Sequence, residues 1–217
     1  MKKVFLFLMA SMALVSCGSD DGGGAKRPSM VALAGGSESL VYNMTYDSKG
    51  RLNTLTSSQS GSHTYTFAYN ESGKVASATA SGSITGVIGF AYNEDGKLST
   101  VTRTGEEPTT VTWIDATTAT VGTTTVKLDA KGDLQLYDTA SFTRDTGKGA
   151  FASVKGVDGL TLLFIEQQTL FFASKKPAKT ISGSGVAYIM NNDFEGGMIS
   201  GATFDANGTP YTMTITY

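Results

Sequence analysis

The sequence predicts an all-β fold, an antiparallel meander of about 10–13 strands forming a strongly curved sheet or barrel. Three observations carry that reading. A turn-forming heptapeptide recurs along the chain, aromatic residues alternate with Thr and Ala between its copies, and the composition favours strands and turns over helices. Of 217 residues, 26 are Gly and only 17% are charged, so Thr and Ser stand where Lys and Glu usually stand. Thr suits a pleated, half-buried surface and is a middling helix former. Apolar residues at 40% and aromatics at 10% suffice for a core, which excludes a globally disordered chain.

The same arithmetic removes several chemistries. A single Cys excludes an intrachain disulfide framework and any Cys-rich zinc site. A single His excludes mechanisms that need two imidazoles. A net charge of −2 leaves no electrostatic footprint for nucleic acid. No cofactor is implied, and no nucleic-acid partner.

The chain opens on an address. Residues 1–16 read as a secretory signal, with Lys2 and Lys3 as its positive end and Val4 to Val15 apolar apart from Ser11. That apolar core falls well short of the roughly 20 residues a membrane-spanning helix needs. Leu14-Val15-Ser16-Cys17 looks like a bacterial lipobox, ending on the only Cys in the chain. The resemblance implies cleavage before Cys17, lipidation of that residue, and a membrane partner held through the lipid. A free thiol in an oxidising export compartment would be a liability, whereas a lipidated Cys has no thiol left to react. Without Lys2 and Lys3, 15 basic residues face 19 acidic ones. Residues 17–38 read as the lipidated Cys and a flexible Gly- and Asp-bearing tether. The Cys17-Gly18-Ser19-Asp20-Asp21 start resembles the surface-export signal of Bacteroidota lipoproteins, which implies an outer-membrane lipoprotein displayed at the cell surface; a plain tether that carries two aspartates is the alternative, and the leaflet stays open.

Residues 39–217 read as one domain. Its turn formula stands at Tyr46-Asp47-Ser48-Lys49-Gly50-Arg51-Leu52, at Tyr69-Asn70-Glu71-Ser72-Gly73-Lys74-Val75 and at Tyr92-Asn93-Glu94-Asp95-Gly96-Lys97-Leu98, 23 residues apart each time. Degenerate copies begin at Leu128 and Phe204. The Asp or Asn side chain bonds to backbone ahead of it and opens a turn, and Gly takes the positive-φ position that closes it. A type I turn followed by a left-handed Gly is a common hairpin connection. Between the turns, Tyr65, Phe67 and Tyr69 share one strand face while Thr64, Thr66 and Ala68 share the other. Strands are expected near 39–46, 51–57, 63–69, 74–80, 84–92, 97–103, 108–114, 117–121, 124–129 and 133–138. A late set is expected near 180–190, 197–204 and 210–217.

Residues 149–177 interrupt the pattern. Leu160, Leu163, Phe164, Leu170 and Phe171 fit the stripe of one short helix near 158–173, capped by Asp158. A buried strand pair over Leu160–Ile165 and Thr169–Ala173 is the alternative. A helix here is expected to cover an open end or edge of the sheet.

The Tyr-Asp-x-x-Gly-Arg-Leu hairpins resemble the YD repeats of RHS-type proteins. With the lipobox, the tether and the closing Phe204-Asp205-x-x-Gly208-x-Pro210-x-x-x-x-Ile215-Thr216-Tyr217, the chain is similar to a family of Bacteroidota lipoproteins of unknown function with a porin-like fold. The resemblance departs in the middle, where 36 and then 76 residues separate successive copies. It implies a barrel-like shape and brings no catalytic residue with it.

Candidate chemistry is sparse. His63 shares a strand face with Tyr65 and Phe67 and has no assignable partner. Most carboxylates belong to turn formulas, and a glycosidase needs a pair placed across a cleft. Asp193 and Glu195 could offer oxygens to Ca²⁺, although a polar hairpin loop explains them as well. Gly183-Ser184-Gly185 and Gly105-Glu106-Glu107 lack the strand-to-helix context of a phosphate cradle. Trp113 could stack on a sugar, or pack in the core beside Val111. The reading is a non-enzymatic surface lipoprotein, a binding or scaffold module for a glycan, a peptide or a partner protein. A membrane-inserted barrel is the first alternative and a hydrolase the second.

Overall fold

The computed structural model describes residues 25–59 and 61–217. The signal segment, Cys17 and the first part of the tether lie outside the described residues. The strands are β1 (Met30–Gly35), β2 (Glu38–Tyr46), β3 (Leu52–Ser57), β4 (His63–Tyr69), β5 (Val75–Gly82), β6 (Gly86–Tyr92), β7 (Leu98–Arg103), β8 (Thr109–Trp113) and β9 (Thr118–Val121). They continue as β10 (Thr124–Leu128), β11 (Leu134–Tyr137), β12 (Ala140–Arg144), β13 (Ala178–Gly183), β14 (Val186–Ile189), β15 (Asn191–Glu195), β16 (Met198–Ala206) and β17 (Thr209–Thr216). One helix, α1 (Gly159–Ile165), and a 3₁₀ turn (Gln167–Phe171) stand between β12 and β13.

The all-β meander is as expected, but it has 17 strands, more than the sequence suggested. The tether expected to reach residue 38 ends sooner, because Met30–Gly35 is a strand. Val31 and Leu33 alternate into the core there, a period-two signal hidden by the neighbouring Gly and Ser. β12 and β15 are the other unexpected strands, and the strand expected near 180–190 is a hairpin of two, β13 and β14. Residues 191–195, read as a loop, pair with β16 instead.

Every chain-consecutive pair of strands is hydrogen-bonded antiparallel except β14 and β15, and β17 returns to pair with β1. A ring of antiparallel neighbours must hold an even number of strands. It closes here because β14 and β15, separated only by Met190, act as one broken strand. The Met190 N–H still bonds to Lys179 O on the β13 side at 2.9 Å, whereas Asn191 already pairs with Thr203 of β16. The strand changes partner at that residue, and the barrel is nearly closed.

The sheet is apolar inside and polar outside. Tyr42, Leu55, Tyr65, Phe67, Phe90, Val111 and Met213 point inward and are buried. Thr45, Thr66, Thr79, Thr102, Thr112, Thr143 and Thr212 point outward and are exposed. Some outer hydroxyls bond across strands, as between Thr45 and Thr54 (2.7 Å) and Thr56 and Thr64 (2.9 Å).

Four copies of the turn formula lie together at one rim, where residues 25–29 and the C-terminus also lie; we call it the N-terminal rim. In the first copy, Asp47 Oδ1 accepts the N–H groups of Lys49 and Arg51, each at 2.9 Å, and Gly50 donates to Asp47 O with φ of +77°. Asp129 repeats this geometry, and Asn70 and Asn93 keep the bond from the N–H four residues on and the Gly bond to their own carbonyl. The last copy differs. It lies at the far rim as a two-residue turn, with Asn207 and Gly208 at φ of +55° and +85° between the paired Ala206 and Thr209.

The aromatics that open the second and third copies, and Trp113 one hairpin further on, tie neighbouring hairpins together. Tyr69 Oη donates to Leu52 O (2.7 Å), Tyr92 Oη to Val75 O (2.8 Å) and Trp113 Nε1 to Leu98 O (2.8 Å). Over each ring lies the cation of the preceding copy: Arg51 at 4.2 Å, Lys74 at 5.2 Å and Lys97 at 4.6 Å from the centroid. The repeat therefore stitches each hairpin to the next.

Residues 145–177 leave and re-enter the sheet at the N-terminal rim and run inside the ring. They meet inward-facing groups from all round it. Phe172 packs on Tyr42 of β2 (5.1 Å between centroids), Arg103 of β7 donates to Phe164 O, Gly159 donates to Gly132 O, and Phe171 stacks on Phe204 of β16. The Asp158 cap is present, with Oδ1 accepting Thr161 N–H at 2.7 Å. The segment thus fills the barrel where the sequence suggested a cover over an open end. Barrels of sixteen or so strands are too wide for wall side chains to meet across the middle. Leu160, Leu162, Ile165, Phe151 and Val154 supply the missing core.

Turn carboxylates give the fold a pH dependence. The N–H groups of Thr117 and Thr118 hold Asp115 down at about 2. Asp145 is lowered first by the Thr146 N–H. At Asp47 desolvation raises the carboxyl, but the Arg51 N–H and guanidinium together outweigh it and the net shift is downward. A depressed folded value means stability that is complete above the ordinary carboxyl range of about 4 and is lost as pH falls through the folded value. Urea midpoints should therefore be flat above about pH 4 and fall toward pH 2. Asp115→Asn, which keeps the acceptor and removes the titration, should flatten part of that fall.

Candidate functional site

Two concavities stand at opposite ends of the barrel. At the N-terminal rim a groove of about 890 Å³ is lined by Arg27, Lys49, Arg51, Tyr69 and Lys155. Its arginines are already engaged. Arg51 is paired with Asp47 at 2.7 Å and lies on Tyr69, and Arg27 donates to Ser153 O and lies over Tyr46. The groove is the outer surface of the stitching described above.

At the far rim a cavity of about 600 Å³ combines the two properties of a ligand site, an apolar floor and a polar lip. The floor is built by three parts of the chain. The 3₁₀ turn brings Phe171, the β16–β17 hairpin brings Phe204 and Tyr211, and β14 brings Tyr188. Phe171, Phe204 and Tyr211 form a stack, with centroids 5.5 and 5.4 Å apart and rings within 11° of parallel. Tyr188 meets Phe204 edge-on at 6.0 Å. Gly35, paired with Tyr211, leaves room for that ring, since a Cβ there would stand 2.4 Å from it. Ser37, Glu38, Ser39, Gln59 and Gln168 form the lip. Phe204 is covered on both faces by Phe171 and Tyr211.

Behind this floor sits a buried polar cluster. His63 of β4, 4% exposed, faces Glu166 with Nε2 3.2 Å from Oε2. Tyr42 Oη donates to the other carboxylate oxygen at 3.4 Å. Burial, with the Glu166 charge beside it, pushes the Tyr42 phenol far above its ordinary value, so it stays a donor. Glu166 lies between α1 and the 3₁₀ turn, and the cluster ties the inner segment to two walls of the barrel. His63 Nδ1 lies 3.3 Å from Gly61 O and 3.5 Å from Ser83 Oγ. The Ser83 hydroxyl donates to the same Gly61 carbonyl at 2.5 Å, so its proton is not directed at the ring. Serine, histidine and glutamate are neighbours here without the hydrogen-bond order of an activated nucleophile.

The other candidates resolve individually. Cys17 lies outside the described residues. Trp113 is a rung of the rim ladder, with its N–H on Leu98 O and Lys97 over its ring, so neither is free for a sugar. Asp193 and Glu195 are exposed on β15, and among the described residues no group of three or more His, Cys, Asp or Glu could hold a metal. Ser184 and Gly185 form the two-residue turn between β13 and β14. Sequence reasoning missed Glu166 as the partner of both His63 and Tyr42, at separations of 103 and 124 residues, and missed the cavity altogether. Its rings come from three distant segments, and only the apolar stripe through Phe171 hinted at one of them.

No family model matches the chain, and no curated protein does. Among solved structures, a porin-like protein from Bacteroides uniformis ATCC 8492 superposes with a TM-score of 0.44 at 14% identity, covering 87% of this chain and 97% of that one. A porin-like protein from Bacteroides vulgatus ATCC 8482 gives a TM-score of 0.43 at 12% identity, covering 89% and 99%. Likenesses this distant say nothing about what either chain binds.

The buried cluster makes a quantitative prediction. Removing one partner leaves the other buried without its counter-group, which costs about 3–5 kcal/mol. Glu166→Leu and His63→Leu should each lower unfolding free energy by that order. The double variant should lose well under the sum, as measured by urea unfolding in a double-mutant cycle.

Proposed function

We propose that this chain is a non-enzymatic outer-membrane lipoprotein whose barrel stands in water on a Cys17 anchor and binds its ligand at the far-rim cavity. One observation carries the reading. The apolar faces of all the strands but β14 and β15 point into a filled interior, and the face turned outward is largely polar, with many Thr and Ser. A barrel inserted in lipid needs the reverse, an apolar outer band about 25 Å tall around a polar interior. It also needs strands of about 9–11 residues, whereas these run from 4 to 9. No helix of the described residues is long and apolar enough to cross a membrane. The lipid on Cys17 then supplies the membrane attachment. Because residues 25–29 enter at the N-terminal rim, an anchored barrel turns the cavity away from the membrane, toward a partner outside.

The test separates anchoring from insertion. Replacing Cys17 by Ala should release the protein from membranes on carbonate washing, and the chain from residue 25 onward should stay in solution without detergent and give no conductance steps in planar bilayers. Retention of the Cys17→Ala protein through carbonate, or stepwise conductance, would falsify the reading.

A further inference from the structure

We infer that the far-rim cavity selects a small organic cation, an ammonium group carried on an apolar body, with Glu38 as its counter-charge. The inference rests on the reading of that cavity as the binding site and adds the class of ligand. Side chains alternate along β2, so Glu38 shares the inner face with Leu40, Tyr42 and Met44. At the mouth, that face carries one row across four strands. Glu38 of β2 stands opposite Gly35 of β1, Gly35 opposite Tyr211 of β17, and Tyr211 opposite Phe204 of β16. Among the described residues, Glu38 is the only charged one that lines the cavity.

Gly35 joins the two ends of this row. The Tyr211 ring lies over it, where a Cβ would stand 2.4 Å away, so no side chain of β1 separates the ring from Glu38. Two strand steps of roughly 4.8 Å put the Cα atoms of Glu38 and Tyr211 about 10 Å apart. An ammonium lodged between them meets a carboxylate on one side and an aromatic ring on the other. Its apolar body then lies toward Phe171, Phe204 and Tyr188. Among the described residues Glu38 has no cationic partner of its own, since the ion pairs there are Arg51 with Asp47 and His63 with Glu166.

The rest of the rim keeps the same sign. The hairpins that turn at this end carry Glu106, Glu107 and Asp138 in their turns, all exposed, and no Lys or Arg. Arg103, at the end of β7, is turned onto the Phe164 carbonyl. The basic turn residues lie at the other rim, as Lys49, Arg51, Lys74, Lys97 and Lys131 do. An acidic mouth without basic turn residues draws in a cation and repels a carboxylate or a phosphate. A neutral ligand would cover the apolar floor and leave Glu38 unpaired.

The experiment titrates the full chain carrying Cys17→Ala with phenylbutylamine, phenylbutanol and phenylbutanoate, which share one apolar body and differ in their heads. Methyl-labelled NMR reads the site through Leu33, Leu40 and Ala206, which line the cavity. The amine should shift these signals at the lowest concentration and the carboxylate at the highest. Glu38 is exposed, so Glu38→Gln should leave the thermal midpoint in place. It should weaken the amine about fivefold and leave the alcohol unchanged. Glu38→Lys should reverse the order of amine and carboxylate. Added salt should weaken the amine in the wild type and not in Glu38→Gln. An amine that binds no tighter than the alcohol, or as tightly in Glu38→Gln as in the wild type, overturns the inference. Should the alcohol then still shift the same methyl signals, the cavity keeps its role as the binding site. If none of the three probes moves them, the inference and the reading of the cavity fall together.

Discussion

Everything in this molecule follows from the width of its ring. Sixteen effective strands, closed by the pairing of β1 with β17, enclose more space than their own side chains can fill. An unfilled apolar lumen would either take up water against Leu, Phe and Val or collapse the wall. The chain meets the requirement with residues 145–177, which place the helix, the 3₁₀ turn and their apolar residues inside. The buried pairing of His63 and Tyr42 with Glu166 then fixes that segment in one position. Because the interior is satisfied by apolar packing, the wall's other face is free to carry hydroxyls.

The N-terminal rim shows how a short repeat builds such a wall. The first three copies each supply a turn for their own hairpin and a cation that covers an aromatic of the next hairpin, Tyr69, Tyr92 or Trp113, which in turn bonds a carbonyl of the copy before it; the copy at Leu128 supplies the turn alone. The contacts are individually worth about 1 kcal/mol or less. Their value lies in register, since a slipped strand would lose the bond, the ring contact and the inward apolar face together. The far rim, free of this ladder, carries two-residue turns and the cavity. The barrel thus has a stitched end and an open end.

Much of this was legible in the sequence, and the reasons are local. A turn needs its Asp or Asn and its Gly within a few residues, so the heptapeptides announce themselves, and with them the strands on either side. Asp158 announced the helix in the same way. The position of that helix was not legible, because nothing near Leu160 records that the ring is too wide. β1 was hidden because its Val31 and Leu33 sit among Gly and Ser beside the tether, and β15 because Asn, Asp and Glu on an outward-facing strand look like a loop. Glu166 as the partner of His63 is information held only in the closed ring, as is the meeting of Phe171, Tyr188, Phe204 and Tyr211. The Tyr of the repeat shares its strand's aromatic face and is also a cross-hairpin donor.

The central claim is that the threonine face of the wall meets water while the chain is held at a membrane. Single cysteines at Thr66, Thr112 and Thr212, introduced into the full chain in intact cells or vesicles, test it directly. The native Cys17, if lipidated, contributes no background. The account predicts that all three react with a membrane-impermeant maleimide added to the side on which the barrel stands, at rates like those of an exposed turn residue such as Ser48. Protection of the three from that reagent, with labelling only by a lipid-soluble one, would contradict it.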